Sequence, residues 1–508
     1  MISKSLINAG LKKIFLPLLA IMIFCFQAYS QDSLAIKYAS SITEEDLAYH
    51  LKIVAADSME GRETGYPGQK RAARYISKVF NEAGLFPITK AEDGFYQKFD
   101  LEKRTWKEIH IEVNGKVYNQ FEGIVFFGNM ETDGSVETDV VFGGQGDEDD
   151  LQGLDIIGKG VLIIATDGNE RKKGRELLRK GANPVLVVNS TDDESFHNEV
   201  SRYRRYLERP SLDLQGESEE GERMVFYVSP TAAGEIFNTS FKTLNKAIER
   251  KSDGKKKALK KIKPSRIIYQ VEKQIDIIET ENVIGVLEGS GKKDECVIIT
   301  AHYDHLGLSG DLIYNGADDD GSGTVAIMEI AEAFIKAKSE GSGPARSIVF
   351  MTVTGEEKGL MGSSYYVQNP VIPLSATVAN LNIDMIGRSD AKHEENPNYV
   401  YLIGADKISD ELHQISEKCN LTYTGLELDY TYNDENDPNR FYYRSDHYNF
   451  AKNNIPVIFY FTGVHEDYHR PTDTVDKIDF GKMKTITRLI FHTAWEVANK
   501  EERLLINE

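Results

Sequence analysis

From Glu281 onward, apolar runs of strand character alternate with helical patterns, and the runs repeatedly finish beside a residue that can bind a metal. Asn282 to Leu287, Val297 to Thr300, Ser347 to Val353, Val378 to Ile383 and Pro456 to Phe461 read as strands buried on both faces. Between them, Thr324 to Lys338, Glu411 to Lys418 and Lys482 to Asn499 repeat apolar residues at helical spacing. Such an alternation predicts an α/β fold: a mixed, largely parallel sheet flanked by helices, which supply the crossovers that parallel strands need. Ligands of such sheets sit beyond the carboxyl ends of the strands. That is where the chemically active residues of this sequence fall.

His302 and Asp304 follow the run Ile298 to Ala301. Asp318, Asp319 and Asp320 stand between glycines where a helix opens, Glu356 and Glu357 follow Phe350 to Val353, and Asp384 follows Leu381 to Ile383. A further histidine, His469, lies in the segment Asp467 to Asp473, past the last strand. Singly, each has a bland reading: a Glu-Glu pair is usually a solvated helix start, an Asp triplet a loop, a lone histidine a satisfied core residue. Their conjunction, in order on successive strand ends, overrides those readings. Imidazole and carboxylate donors without thiolates suit zinc. Several carboxylates converging on one sheet edge repel each other unless cations neutralise them. Two zinc ions bridged by one carboxylate resolve that repulsion, and of two adjacent glutamates one can ligate while the other accepts a proton.

As a set, Ala-His302-Tyr-Asp304, Gly-Ala-Asp-Asp319-Asp-Gly-Ser-Gly, Gly-Glu356-Glu357, Asn-Ile-Asp384-Met, Arg444-Ser-Asp446-His447 and Tyr468-His469 resemble the co-catalytic di-zinc aminopeptidases. Relatives of that family include glutamate carboxypeptidase, the transferrin receptor and animal-type glutaminyl cyclases. The resemblance covers residues 43–85 loosely and 281–499 closely. It implies that His302 and Asp384 hold one zinc, that Glu357 and His469 hold the other, and that Asp319 bridges them. It makes Glu356 the general base and Asp304 the partner that fixes the His302 tautomer. It further implies a cis peptide between Asp319 and Asp320, and oxyanion donors at Tyr468 and Arg444, although Tyr442 or Tyr443 offers the same hydroxyl. Met385 and Phe461, beside these positions, are expected to line an apolar substrate pocket.

The implied activity is that of a zinc metalloaminopeptidase, releasing N-terminal residues from peptides with a free amine. Three alternatives stand beside it. A glutaminyl cyclase needs tryptophans near its metal, and here Trp106 and Trp495 lie far in sequence from every ligand motif. A glutamate carboxypeptidase-like dipeptidase needs an arginine cluster, for which Arg388, Arg440 and Arg444 are the candidates. A non-catalytic protein of the same fold is disfavoured because all the ligand positions are filled.

The rest of the 508 residues frames this half. Lys4, Lys12 and Lys13 precede an apolar stretch from Ile14 to Phe26 and then Ala28-Tyr29-Ser30, the pattern of a cleaved signal peptide over residues 1–30. Export to the periplasm or medium is expected, with no membrane span in the mature chain. Residues 31–113 are expected to open the peptidase domain and 279–508 to form its main part. Between them, residues 114–278 hold short β-like runs at Val140 to Phe142, Val161 to Ile164, Pro184 to Val188 and Met224 to Val228. That stretch resembles an inserted protease-associated domain and offers no ligand cluster of its own. The formal charge of −20 argues against nucleic acid as a partner. Cys296 and Cys419 have neither a disulfide-framework nor a metal-site spacing.

Overall fold

The computed structural model describes residues 31–507 apart from 92–93, 217–222 and 254–256; the expected signal peptide lies outside the described residues. One long mixed sheet runs through the whole molecule. We label the strands that build the site and its supports β1 (Tyr96–Val113), β2 (Ser265–Leu287), β3 (Lys292–His302), β4 (Arg346–Val353), β5 (Thr377–Ile383), β6 (Tyr399–Ile403) and β7 (Val457–Phe461). In this half the spatial order is β6-β7-β5-β3-β4-β2, with β7, β5, β3 and β4 mutually parallel and β6 and β2 antiparallel to their neighbours.

The parallel strands are buried on both faces, which is why they read as unbroken apolar runs; every residue of β4 and β5 is buried. One face carries the helices α1 (Glu44–Val54), α2 (Pro67–Ala83), α3 (Gly323–Ser339) and α4 (Phe480–Asn499). Their limits follow from capping chemistry. Thr43 and Asp479 accept backbone N–H bonds at the starts of α1 and α4. Pro67 opens α2, and Gly84, at φ +97°, ends it. The opposite face is covered by the shorter helices Met361–Gln368 and His447–Ala451. Each fully buried Ile, Leu or Phe in these layers contributes about 1.5–3 kcal/mol of transfer free energy.

β1 and β2 form a long antiparallel ribbon, paired from Tyr96↔Val283 to Glu112↔Ile268 with a bulge at Glu272/Lys273. The ribbon leads the sheet into a second layer of parallel strands, Val136–Phe142, Gly160–Ile164, Val185–Val188 and Val225–Val228, with cores of their own. The limits 114 and 278 fall at the end of β1 and within β2, which continues unbroken from one half to the other. Cys296 and Cys419 are buried free thiols, and burial pushes them up to about 11 and about 12. Among the described residues, no helix is long and apolar enough to cross a membrane.

Candidate metal centre

Three neighbouring parallel strands deliver most of the donors to one edge. β3 ends on His302, while Glu356–Glu357 and Asp384 come just after β4 and β5. The turn 317–322 brings in Asp319 ahead of α3, and the loop beyond β7 brings in His469. The peptide bond Asp319–Asp320 is cis, as the resemblance implied.

Asp319 lies between two donor groups. Its Oδ1 is 3.3 Å from His302 Nε2, and its Oδ2 is 3.2 Å from His469 Nε2. His302 Nε2 is also 3.6 Å from Asp384 Oδ1, and His469 Nε2 is 3.2 Å from Glu357 Oε2. Donors about 2.0–2.1 Å from a tetrahedral ion stand about 3.3–3.4 Å from each other. The spacings therefore suit two coordination shells that share one carboxylate. Asp319 Oδ2 is buried without a hydrogen-bond partner, a deficit that a cation removes. Two triads converge tightly: His302, Glu356 and Asp384, and His305, Asp319 and Glu357. Glu356 Oε2 is 3.8 Å from His302 Nε2, farther than the Asp319 or Asp384 oxygen.

The charge field is that of a site short of cations. Burial holds the Glu356 carboxyl well above the usual carboxylate range, reinforced by Asp384, Glu357 and Asp446 and opposed by His302. Burial opposes the His302 cation, but Glu356 and Asp384 outweigh it and raise its affinity for a proton. For His469, burial is again outweighed, here by Asp319 and Glu357, which lift it to about 10. Glu357 falls to about 2 against the pull of burial and of Asp319, because His305 and His469 stabilise its anion.

The surrounding hydrogen bonds assign the remaining polar groups. Asp320 accepts from the backbone N–H groups of His302, Gly323 and Met385. Asp318 accepts from Gly387 N and faces His465, while the Asp473 carboxylate receives the N–H groups of Asp318 and Asp319. Asp384 is held from behind: Ser445 Oγ donates to its Oδ2 at 2.7 Å, Asn382 Nδ2 donates to Ser445, and Thr300 Oγ1 donates to Asn382.

Asp304 contributes both its main chain and its carboxylate. His302 Nδ1 lies 3.0 Å from the main-chain carbonyl of Asp304 and 3.7 Å from its carboxylate, so the carbonyl sets the tautomer. The carboxylate instead accepts from Thr64 Oγ1 and from the backbone N–H of Glu356, fixing the start of the glutamate turn. The expected oxyanion donors lie together: Arg444 donates to the Tyr468 hydroxyl at 3.3 Å, and the Tyr468 ring stacks on His469. Met385, Phe441, Phe459, Phe461 and Val464 form the apolar wall of the same cleft. Tyr442 and Tyr443 do not line it, nor does either tryptophan. Arg388 is paired with Asp467, and Arg440 lies over the Tyr443 ring, leaving Arg444 as the arginine at the mouth.

Ser445, Phe441, Phe459, Val464 and His305 are participants that the sequence reading does not single out. Ser445 sits inside the quoted Arg444-to-His447 motif, but nothing in the sequence says that its hydroxyl reaches Asp384. Phe441 and Phe459 join the apolar wall from a loop and from β7. His305 lies one residue past Asp304, fully buried beside Glu357. Its signal was a second imidazole in the run His302-Tyr-Asp-His305.

Comparison with known proteins places this geometry. Residues 282–494 match the sequence model of peptidase family M28. A probable leucine aminopeptidase of Arthroderma otae is 32% identical over 215 residues, 41% of this chain and 56% of that protein. A probable glutamate carboxypeptidase of Arabidopsis thaliana is 26% identical over 275 residues, 49% of this chain and 38% of that protein. The chain thus spans about half, or less, of the length of these curated relatives. The solved aminopeptidase from Aneurinibacillus sp. strain AM-1 shares the fold, with a TM-score of 0.53 over 93% of this chain and 98% of that one at 19% identity.

Proposed function

We propose, from the match of residues 282–494 to peptidase family M28, that the protein is a di-zinc aminopeptidase acting on peptides with a free N-terminus. The observation that carries the reading is the division of Asp319, one oxygen toward His302 and the other toward His469, each histidine with its own carboxylate. His302, Asp384 and Asp319 would hold one zinc, and His469, Glu357 and Asp319 the other. Bound there, zinc supplies Lewis acidity toward the scissile carbonyl and the attacking water.

The chain's own residues do the rest. Glu356 accepts the water's proton at its carboxylate and delivers it to the leaving amine. Tyr468, its hydroxyl held by Arg444, donates to the oxygen on which negative charge develops. The carboxylates around the metals receive the substrate's α-ammonium. The wall of Met385, Phe441, Phe459, Phe461 and Val464 favours an apolar first residue. A dipeptidase acting on glutamate-containing substrates would need several arginines here, and among the described residues Arg444 is the only one lining the cleft.

A fluorogenic panel of aminoacyl amides, with and without a chelator, tests the reading, alongside a peptide and its N-acetylated twin. Leucyl and phenylalanyl amides should be cleaved, chelation should stop the reaction, and the acetylated peptide should resist. Equal cleavage of both twins would leave a metal hydrolase but remove the aminopeptidase assignment. Residues 114–278 we read as a protease-associated domain that governs access to the cleft. Joining the ends of the β1/β2 ribbon by a tight turn should then keep amide hydrolysis while changing preference among longer peptides. The amino-terminal pattern of lysines, an apolar run and small residues supports export of the enzyme.

A further inference from the structure

His305 lies in the tight triad with Asp319 and Glu357, and it is the most enclosed imidazole near them. It is fully buried, and neither ring nitrogen has an aligned hydrogen-bond partner. Its ring rests on Gly316: a Cβ at that glycine would stand 2.5 Å from His305 Cγ, and Gly316 itself is at φ +54°. The backbone N–H of His305 is tied to the carbonyl of Arg62. A bulky, polar ring has been accommodated with a glycine beneath it, and the group it faces is Glu357. His305 Nδ1 lies 2.8 Å from Glu357 Oε1 and 3.8 Å from Asp319 Oδ2.

Two roles are open to an imidazole in this position, and the distances separate them. A further ligand of the same ion would stand about 3.3–3.4 Å from the other donors, as His469 nearly does at 3.2 Å from both Asp319 Oδ2 and Glu357 Oε2. The 2.8 Å separation is about half an ångström shorter and lies in the distance range of a charge-assisted N–H to carboxylate bond. Neither Nδ1 nor Oε1 has another hydrogen-bond partner, and a turn of the ring is needed to align the N–H on the oxygen. The two oxygens of Glu357 are thus divided, Oε2 toward His469 and Oε1 toward His305. A carboxylate oxygen only accepts, so a proton on Nδ1 is what makes this contact favourable.

We propose that His305 is a positioning residue of the second metal site: it donates Nδ1–H to Glu357 Oε1, which leaves Oε2 alone to bind the ion and holds the carboxylate in one orientation. This rests on the di-zinc reading of the site but not on the peptidase activity. Partners of this kind typically change metal affinity by about 10–100-fold.

The test uses two substitutions of nearly identical shape in the full chain. Asparagine puts an amide N–H close to the place of Nδ1, and leucine puts a methyl there. Zinc affinity is measured by competition with a chelator, without substrate, and the visible spectrum of the cobalt-substituted protein reports ligand number. His305→Leu should weaken binding of the second ion by about 10–100-fold, leave the first unchanged, and keep the wild-type band pattern. His305→Asn should restore most of the affinity. Wild-type affinity in His305→Leu would overturn the proposal. So would equal loss in both variants accompanied by a changed cobalt spectrum, which would make His305 a ligand. Should neither variant fold, a metal-loaded wild-type crystal decides. The proposal requires Nδ1 within hydrogen-bond reach of Oε1 and well beyond the ~2.0–2.1 Å of a zinc–nitrogen bond. Because none of these readouts involves hydrolysis, failure of the aminopeptidase assignment would be recognised separately.

Discussion

Arg62 offers the sharpest test of how the amino-terminal segment supports the metal centre. Its side chain is fully buried, and no carboxylate forms an ion pair with it among the described residues. Instead the guanidinium donates to four main-chain carbonyls: Nε to Tyr303 at 2.7 Å, Nη1 to Val54 at 3.0 Å and Asn315 at 2.5 Å, and Nη2 to Gly316 at 2.8 Å. Tyr303 follows the ligand His302, Gly316 opens the turn to Asp319, and Val54 ends α1. One planar fork therefore pins three pieces of chain, two of which carry metal donors. Burial lowers its hold on a proton, while Asp473, Asp319, Asp304 and Asp320 supply the negative field that keeps it charged.

Replacement by methionine keeps the apolar stem and removes every donor. A buried acceptor left without a partner costs about 1–3 kcal/mol. The Gly316 carbonyl keeps the N–H of Gly321, so taking the low end for the other three gives about 3 kcal/mol, at the lower edge of the ~3–5 kcal/mol typical of opening a buried charged contact. Against a total of about 5–15 kcal/mol, Arg62→Met should fold, but with a large part of its stability gone. The loop itself adds strain that this clamp offsets, since Glu60 and Arg62 both sit at positive φ, 50° and 54°. Arg62→Lys should recover less than half of the loss, because one ammonium cannot reach carbonyls arranged around a planar fork. Urea unfolding of the chelated and zinc-loaded protein measures both variants. A loss below about 1 kcal/mol for Arg62→Met would refute the argument, since even one orphaned carbonyl should cost that much.

Further outcomes follow from the same geometry. Glu356→Gln should lower kcat by about 10²–10⁴-fold while zinc content, read by elemental analysis, stays at the wild-type value. Ser445→Ala removes the bond to Asp384 Oδ2 and should weaken the His302 ion by about 10–100-fold in a chelator titration while leaving the His469 ion nearly unchanged. Glu329, buried in α3 with His50 Nε2 at 3.6 Å, is raised to about 8 by burial, with Glu332 and Asp46 adding to it. The folded state keeps that proton after the unfolded chain has lost it, so the group's contribution is full below about 4.5 and fades as pH climbs through about 8. Glu329→Gln should flatten this decline, whose slope is at most about 1.4 kcal/mol per pH unit; parallel urea-midpoint curves for the two proteins would contradict it.

The parts of the fold that were legible in the sequence are those whose physics is local and repetitive. β3, β4, β5 and β7 are buried on both faces, so each appears as an apolar run, and α3 and α4 show their buried stripes at helical spacing. β6, Tyr399–Ile403, is not legible because five apolar residues between polar loops carry no period that tells a strand from another buried segment. The β1/β2 ribbon was hidden for the opposite reason. Beyond the core its residues face solvent, and charged side chains such as Lys103, Glu108 and Lys273 interrupt any pattern. The helix Asp193–Leu207 likewise overlaps a stretch so rich in arginine and tyrosine that it reads as an exposed connection.

For the site, the limit of legibility shows in the triplet Asp318-Asp319-Asp320. Sequence presents three identical side chains in a row, and the family resemblance, not chemistry, singles out the middle one. The physical reason emerges only in three dimensions. Asp320 is occupied by three backbone N–H groups from β3, α3 and the turn after β5, and Asp318 by Gly387 N and the facing His465. Both knit the strand ends together: Asp320 has both oxygens taken by backbone donors, and Asp318 has Oδ1 taken while its Oδ2 faces a single imidazole, that of His465. Asp319 receives no hydrogen bond at Oδ2 and stands between two histidines at ligand spacing. What makes it the bridge is therefore its place between two histidines: backbone donors consume Asp320 and one oxygen of Asp318, whose other oxygen faces His465 alone, and only Asp319 has each oxygen at ligand spacing from a different donor histidine. The same logic hides Ser445 and His305. Each acts by completing the hydrogen-bonding of a ligand that lies elsewhere in the chain, or faces it across a turn, and no local pattern of residue types records which donor a carboxylate has been given.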